Sequence, residues 1–446
     1  MASMTGEQIV DAIREAGLVG AGGAGFPTHV KAGSRAETLI ANGAECEPML
    51  DCDAALMTRY PEAVVEGIKL MARSTGAARL VLAVKDKNLE AIEALEEVIG
   101  GSERIELMRL GNFYPAGDEV NLVYEVTGRI PPEAGLPLDV GAVVQNVCTL
   151  AKVADAVKGK PFTRRIVTVA GEVNEPCNVE APIGTSLKDL IRAAGGPVDK
   201  EFAVIVGGPC MGWAASSLDE RVLKTTTGLL VLPPDHALIR MKTASVDQLL
   251  HRAKSVCDQC RDCTDLCPRF LLGHNLEPHR LMTAIGWGND LDSEALRTAH
   301  LCCECGICGI YACPMGLYPN LYIQRIKEEL NAAGISRERG KTPEAPLPEY
   351  HGRKLPAARL EARMGLTGYP SHYPLKESAL EPASIKIPLQ QHIGAPARTV
   401  VKRGQKVKEG DLIGEIPKGE LGARVHAGIS GAVSEVTVDW VEIKAG

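Results

Sequence analysis

The chain has 446 residues, 45% of them hydrophobic and 24% charged, with a formal net charge of −7. That length exceeds one core and predicts about three domains of ordinary soluble composition. The acidic balance, the absence of a long basic run and an aromatic content of only 4% argue against nucleic acid as a partner. No stretch approaches the ~20 apolar residues of a membrane span and the N-terminus has no signal-peptide pattern, so a cytoplasmic chain is expected.

Thr5, Gly6, Glu7 and Gln8 form a capping-box pattern ahead of Ile9, Val10, Ile13 and Leu18 at helical spacing. The helix runs into a glycine loop, 20–28, in which Gly20, Gly22 and Gly25 have G-x-G-x-x-G spacing. A dinucleotide fingerprint must follow a strand and open a helix. This loop follows a helix and leads to Phe26-Pro27, so that label is excluded. The glycines still expose backbone amides that can approach a phosphate or a flat ring, with Lys31 close behind; a plain surface turn is the alternative. A strand over 38–42 ends at Asn42, and Glu45 and Glu47 follow it, where ligands of α/β folds gather or where an acidic turn is merely solvated. A helix over 61–74, a strand over 79–84 and a helix over 89–98 continue an α/β pattern. A Gly- and Pro-rich loop over 111–119 precedes a helix over 120–126, and a turn-rich connection fills 131–141. The run 143–149 leads into another helix, with Asn146 and Thr149 as caps or phosphate contacts.

From 163 to 232 the pattern turns to β: strands over 165–173, 203–206 and 228–232 and one helix over 186–194 make a small α+β domain. Helices over 246–254 and 291–300 then deliver two cysteine runs. The first, Cys257, Cys260, Cys263 and Cys267 followed by Pro268, has the C-x2-C-x2-C-x3-C-P spacing of bacterial ferredoxins, in which the fourth thiolate serves the other cluster. The second is Cys302, Cys305, Cys308 and Cys313 followed by Pro314. On that rule Cys257, Cys260, Cys263 and Cys313 hold one 4Fe-4S cluster, and Cys302, Cys305, Cys308 and Cys267 the other. Four residues separate Cys308 from Cys313 where three are usual, which predicts a local bulge with the ligand kept. Cys303 could replace Cys302, but only Cys302 keeps the x2 spacing to Cys305. Zinc is the competing metal. The scattered Cys46, Cys52, Cys148, Cys177, Cys210 and Cys303 read as small apolar side chains and give no disulfide framework. A helix over 318–330 follows. Residues 334–382 read as an extended linker, and the last 60 residues as a small β-sandwich. A lipoyl or biotin domain would look similar, but no lysine stands on a hairpin tip, so no cofactor is expected there.

Together these pieces resemble the C subunit of the Rnf electron-transport complex and, more closely, the cobalamin reductases of propanediol-utilisation microcompartments, over nearly the whole chain. Residues 20–31 (GAGGAGFPTHVK) are similar to the flavin loop of the complex I flavoprotein subunit, and 42–48 (NGAECEP) to its acidic nucleotide-binding turn. Asn146-Val147-Cys148-Thr149 stands where that family has N-V-x-T near the flavin phosphate. In the Rnf subunit the sandwich with its H-I-G-x-P motif precedes the flavin domain; here it follows the clusters. The resemblance implies a multidomain α/β and α+β chain. Its parts would be a complex-I-flavoprotein-like FMN domain over 1–160, a β-grasp module of SLBB type over 161–240, a ferredoxin-like two-cluster helical domain over 241–335, a linker over 336–385 and an all-β barrel-sandwich hybrid over 386–446.

It also implies noncovalent FMN near Gly22, Gly23, Gly25, Lys31, Asn42, Asn146 and Thr149. Phe26, Glu45 and Glu47 would lie near FMN or NADH, the two glutamates in catalytic roles. Lys31 is followed by Ala-Gly-Ser where relatives often have further contacts. A flavin takes two electrons as hydride from NADH and passes them singly to the clusters. The implied acceptor is cobalamin or a cobalamin-handling protein. The alternatives are an adaptor exchanging electrons with ferredoxin or a partner redox enzyme, and a scaffold with structural clusters. Membership of a larger complex and a place inside a bacterial microcompartment are further expectations.

Overall fold

The computed structural model describes residues 4–100, 104–286 and 290–446. The first module is built on a four-stranded parallel sheet in the order Ile105–Leu110, Arg79–Lys85, Thr38–Gly43, Ala142–Asn146. Leu80 to Val84 are buried without a break, as expected where helices cover both faces of a parallel sheet. Leu39, Ala41, Leu82 and Val84 pack toward the helices Pro61–Thr75 and Val147–Ala156, whereas Ile40, Val81 and Ala83 pack toward Glu119–Thr127. The chain moves outward on one side of Thr38–Gly43 and then returns to its other side. The carboxyl ends of Thr38–Gly43 and Ala142–Asn146 therefore form a topological switch point, where ligands of such sheets bind. Asn42 and Asn146 are register partners there. The edge strand Ile105–Leu110 was not anticipated, because its exposed Glu106 and Arg109 interrupt the apolar run.

The second module is a five-stranded sheet, Cys177–Pro182, Arg164–Gly171, Gly228–Leu232, Ala203–Val206, Trp213–Ala214, whose two central strands Arg164–Gly171 and Gly228–Leu232 are parallel. The helix Leu187–Ala193, capped by Ser186, buries Leu187, Leu190 and Ile191 against it, a β-grasp arrangement. The cluster module is helical, with Val246–Val256, Pro278–Gly286 and Pro319–Ala332 as its longer helices. The helix expected over 291–300 is instead a short Glu294–Arg297 followed by a 3-10 turn, Thr298–Leu301. The chain must leave helical geometry before Cys302, whose backbone is extended (φ −68°, ψ 127°). The last module has a four-stranded antiparallel sheet, Ser384–Pro388, Trp440–Ala445, Gly431–Val436, Lys406–Val407, and a three-stranded one, Arg398–Thr399, Leu412–Glu415, Val425–His426. Among the described residues no helix is long and apolar enough to cross a membrane.

The segment read as an extended linker is a packed strap. Leu355–Pro356 pairs antiparallel with Phe113–Tyr114, and the helix Ala357–Met364 buries Leu360 and Met364. Leu355, Leu360, Met364, Leu366 and Tyr373 join one core with Tyr114 of the first module, Leu230 of the β-grasp sheet and Ile307 of the cluster loop. Asp51 accepts from the Tyr373 amide at 3.0 Å and from Asn178 at 3.2 Å, tying the strap to two modules at once. Its apolar residues fall in short pieces between prolines, each piece plugging a different neighbour, so no helical or strand period spans them.

Truncating Leu360, which is fully buried, to Ala is expected to cost about 2–5 kcal/mol, read as a lower urea midpoint. An unpacked linker would show no change.

Candidate redox centres

The glycine loop lies across the switch point. Gly20 closes it, donating its amide to Phe26 (2.9 Å) and accepting from Gly25 (3.1 Å). Gly22, Gly23 and Ala24 stand exposed, and a Cβ on Gly22 would press to 3.2 Å from Asn146. Gly25, at φ +66°, is buried on the opposite side, where a Cβ would meet the Gln391 carbonyl and His392 of the C-terminal module at 3.3 Å. Asn146 caps the helix Val147–Ala156, accepting from the Cys148 amide at 2.8 Å, and donates to Asp53 at 2.7 Å. Open glycine backbone beside a helix N-terminus suits the phosphate and ring of a flavin nucleotide.

The other expected flavin residues gather here, but their polar atoms are spent inside the protein. Thr149 is fully buried and accepts the Ala21 amide at 2.9 Å, so it positions the loop from behind. Asn42 pins two turns, donating to the Gly117 carbonyl (2.9 Å) and accepting from Ala44 (3.1 Å). Lys31 donates to Glu119 at 2.7 Å and to the Val144 carbonyl at 3.2 Å. Phe26 is half-buried at the loop's exit. Sequence reasoning passed over Glu119, although an Asp118-Glu119 pair at a helix start after a Gly-Pro loop was a usable signal.

The loop is fixed by buried cations of the β-grasp module. The Arg165 guanidinium donates to the carbonyls of Ala21 (3.1 Å) and Lys224. Lys224 donates from its Nζ to the carbonyls of Gly17 and Arg424, both at 2.7 Å, and from its amide to Gln391 at 3.0 Å. Burial pulls the Lys224 amine down to about 7. Arg165 left only a weak trace, the second of two arginines opening an apolar strand; Lys224 and Gln391 left none.

The two glutamates of the acidic turn part company. Glu45 is half-buried, and burial, followed by the nearby Asp53 and Glu47, pushes its carboxyl up to about 8. Glu47 is buried and its oxygens are committed: one accepts the Cys210 amide at 2.8 Å, the other the Met211 amide at 2.9 Å. Glu47, expected near the nucleotide in a catalytic role, thus clamps onto the Gly208–Met211 turn of the β-grasp module, a contact that only the packing of two modules reveals. Tyr114 stands beside it, 3.3 Å from Glu47, and donates to the Cys305 carbonyl at 2.8 Å.

The cysteines surround two small hollows. Cys257, Cys260, Cys263 and Cys313 line one, together with Met282 and Leu317. Cys267, Cys302, Cys305 and Cys308 line the other with Ile307 and Ile323, and Cys303 lines it too. Each hollow takes its fourth thiol from the other run. The two loops repeat one backbone device: Gln259 and Arg261 in the first and Glu304 and Gly306 in the second have positive φ (60°, 71°, 62°, 76°), which turns three thiols to one side. The extra residue before Cys313 is absorbed as a π-helical turn, Cys308–Ala312, the form that such insertions take. Burial pushes the thiols of Cys263 and Cys267 up to about 12, so their ionisation calls for a metal's charge, and sets of four thiols in apolar surroundings fit 4Fe-4S clusters. Cys260 is exposed, which leaves the first hollow at the surface. The second lies against the flavin module, where Arg269, two residues after Cys267, makes a bidentate pair with Asp118 at 2.7 and 2.9 Å.

The Nuo51 FMN-binding domain family matches residues 13–155, the SLBB domain 166–214, the 4Fe-4S dicluster domain 256–318 and the RnfC barrel sandwich hybrid domain 371–444. The chain is 42% identical to "Cobalamin reductase PduS" of Citrobacter freundii, over 99% of this chain and 97% of that one. It is 40% identical to the protein of the same description from Salmonella typhimurium, over 100% and 98%. The C subunit of the proton-translocating ferredoxin:NAD(+) oxidoreductase complex of Clostridium ljungdahlii is 36% identical over 59% of this chain and 56% of that one. The cofactors are thus FMN and 4Fe-4S clusters.

A carboxyl raised from 4.5 to about 8 in the fold binds a proton that the unfolded chain has released, so Glu45 makes stability fall as pH rises through that window. Glu45→Gln is expected to flatten the loss of melting temperature between pH 5 and pH 8. Of the paired thiols, Cys302→Ala is expected to lose the iron of one cluster and Cys303→Ala to keep it, as measured by iron content after anaerobic reconstitution.

Proposed function

Because the chain belongs along its whole length to the cobalamin reductase PduS family, we propose that it carries electrons from NADH through FMN and two 4Fe-4S clusters to cobalamin. The observation that carries the internal route is the frame joining the flavin cradle to the second thiol set. Asp118 holds Arg269 beside Cys267, its neighbour Glu119 holds Lys31, and Tyr114 holds the Cys305 carbonyl. The bound flavin supplies the exchange between a two-electron donor and one-electron acceptors.

This chain's residues do the positioning. The backbone of Gly22 and Gly23 with the Asn146 cap receives the flavin nucleotide, and Thr149, Arg165 and Lys224 keep that loop in place. Glu45, holding its proton at neutral pH, stands at the end of the central strand as the group able to give or take a proton near the nicotinamide. Cys267, Cys302, Cys305 and Cys308 ligate the cluster next to the flavin module. Cys257, Cys260, Cys263 and Cys313 ligate the one at the surface, from which the acceptor is served. Kinship with the enzymes of propanediol-utilisation microcompartments supports a place in such a compartment, within a larger assembly.

Protein reconstituted anaerobically is expected to hold FMN and about eight iron atoms, two cubanes' worth, and to form cob(I)alamin from cob(II)alamin with NADH, followed by absorbance. Reduction of ferredoxin with no cob(I)alamin formed would move the chain to the Rnf-type role.

A further inference from the structure

Tyr322 lies on the helix Pro319–Ala332 with 1% of its surface exposed, packed among Leu249, Ala253, Met282 and Leu317. Its hydroxyl is buried and has no hydrogen-bond partner among the described residues. A buried hydroxyl left unmade costs about 1–3 kcal/mol, so such an orphan asks for an acceptor. The same apolar cluster contains Cys313 and Cys257, two of the thiols around the surface-side hollow. Their sulfur is such an acceptor. The second hollow is treated differently: Tyr114 donates to the backbone carbonyl of Cys305.

We propose that the Tyr322 hydroxyl donates a hydrogen bond to a sulfur of the surface-side cluster, and that it thereby sets the reduction potential of that cluster relative to the flavin-side one. A donor aimed at a cluster sulfur stabilises the more negative, reduced state and raises the potential. Electrons arriving from the flavin side are drawn outward to the cluster nearest the acceptor. Tyr322 acts as a positioning and tuning residue, and the inference rests on the ligand sets proposed above.

The test is a potentiometric titration of both clusters by electron paramagnetic resonance in the full, anaerobically reconstituted chain, with Tyr322→Phe compared to wild type. The surface-side signal is identified as the one lost in Cys260→Ala. Tyr322→Phe is expected to keep its full iron content and to reduce that cluster about tenfold less favourably, 59 mV lower for a one-electron couple, with the other cluster unmoved. An unchanged potential, an equal shift of both clusters, or loss of iron in Tyr322→Phe would each overturn the proposal. Failure of the ligand sets themselves is separate: Cys260→Ala would then remove neither signal.

Discussion

The arrangement of this molecule hangs on burying two cations whose donors go to main-chain carbonyls. Arg165 and Lys224, each 1% exposed, belong to the β-grasp module, yet their donors end on Gly17 and Ala21 of the flavin module and on Arg424 of the C-terminal sandwich. Stranding a charge in such an interior costs several kcal/mol. The modules must therefore present those carbonyls together or leave the cations unpaired. The glycine loop, flexible by composition, is rigid by this constraint. Thr149 holds it from one side, and Gly25 is pressed from the other by Gln391 and His392.

A second junction, around Tyr114 and Glu47, does for the electron path what the cations do for the flavin loop. Electron transfer needs its centres held at fixed separation, and the cluster module is joined to the flavin module by a mostly covered ion pair and a buried phenol. Arg269 and Asp118 are 10% and 11% exposed, so solvent screens their attraction weakly. The strap over 336–385 closes the same junction. Its leucines and tyrosine share a core with the flavin, β-grasp and cluster modules, which explains how so irregular and largely exposed a segment is held in place.

The cluster loops solve one problem twice. Three thiols from a short loop can face one point only if the backbone between them turns the wrong way for most L-residues, and both loops do so at equivalent places. Glycine at 306 meets that demand without strain, whereas Arg261 adopts it as an arginine. The π-turn before Cys313 has a related cause: the ligand must reach the neighbouring hollow, and one added residue is taken up in the helix while the thiol keeps its place.

What the sequence determined by itself was the local chemistry. Cysteine spacing grouped the thiols as they line the two hollows, because ligand geometry is written in loop length. The glycine loop and the residues after the first strand marked the flavin cradle, because a parallel sheet puts its site at strand ends. The order of α/β, α+β, helical and β-sandwich modules followed from period and turn residues, and the β-grasp character of the second from its resemblance to known modules. Only the tertiary structure decided what lies between modules. Glu47 as a clamp, Tyr114 as a donor to a cluster loop, Lys224 and Gln391 under the flavin loop, and the strap in place of a linker all depend on partners far away in the chain, such as Tyr114 and Cys305, 191 apart. No periodicity carries that information, since burial of a polar side chain against another domain leaves its neighbours in the sequence unchanged.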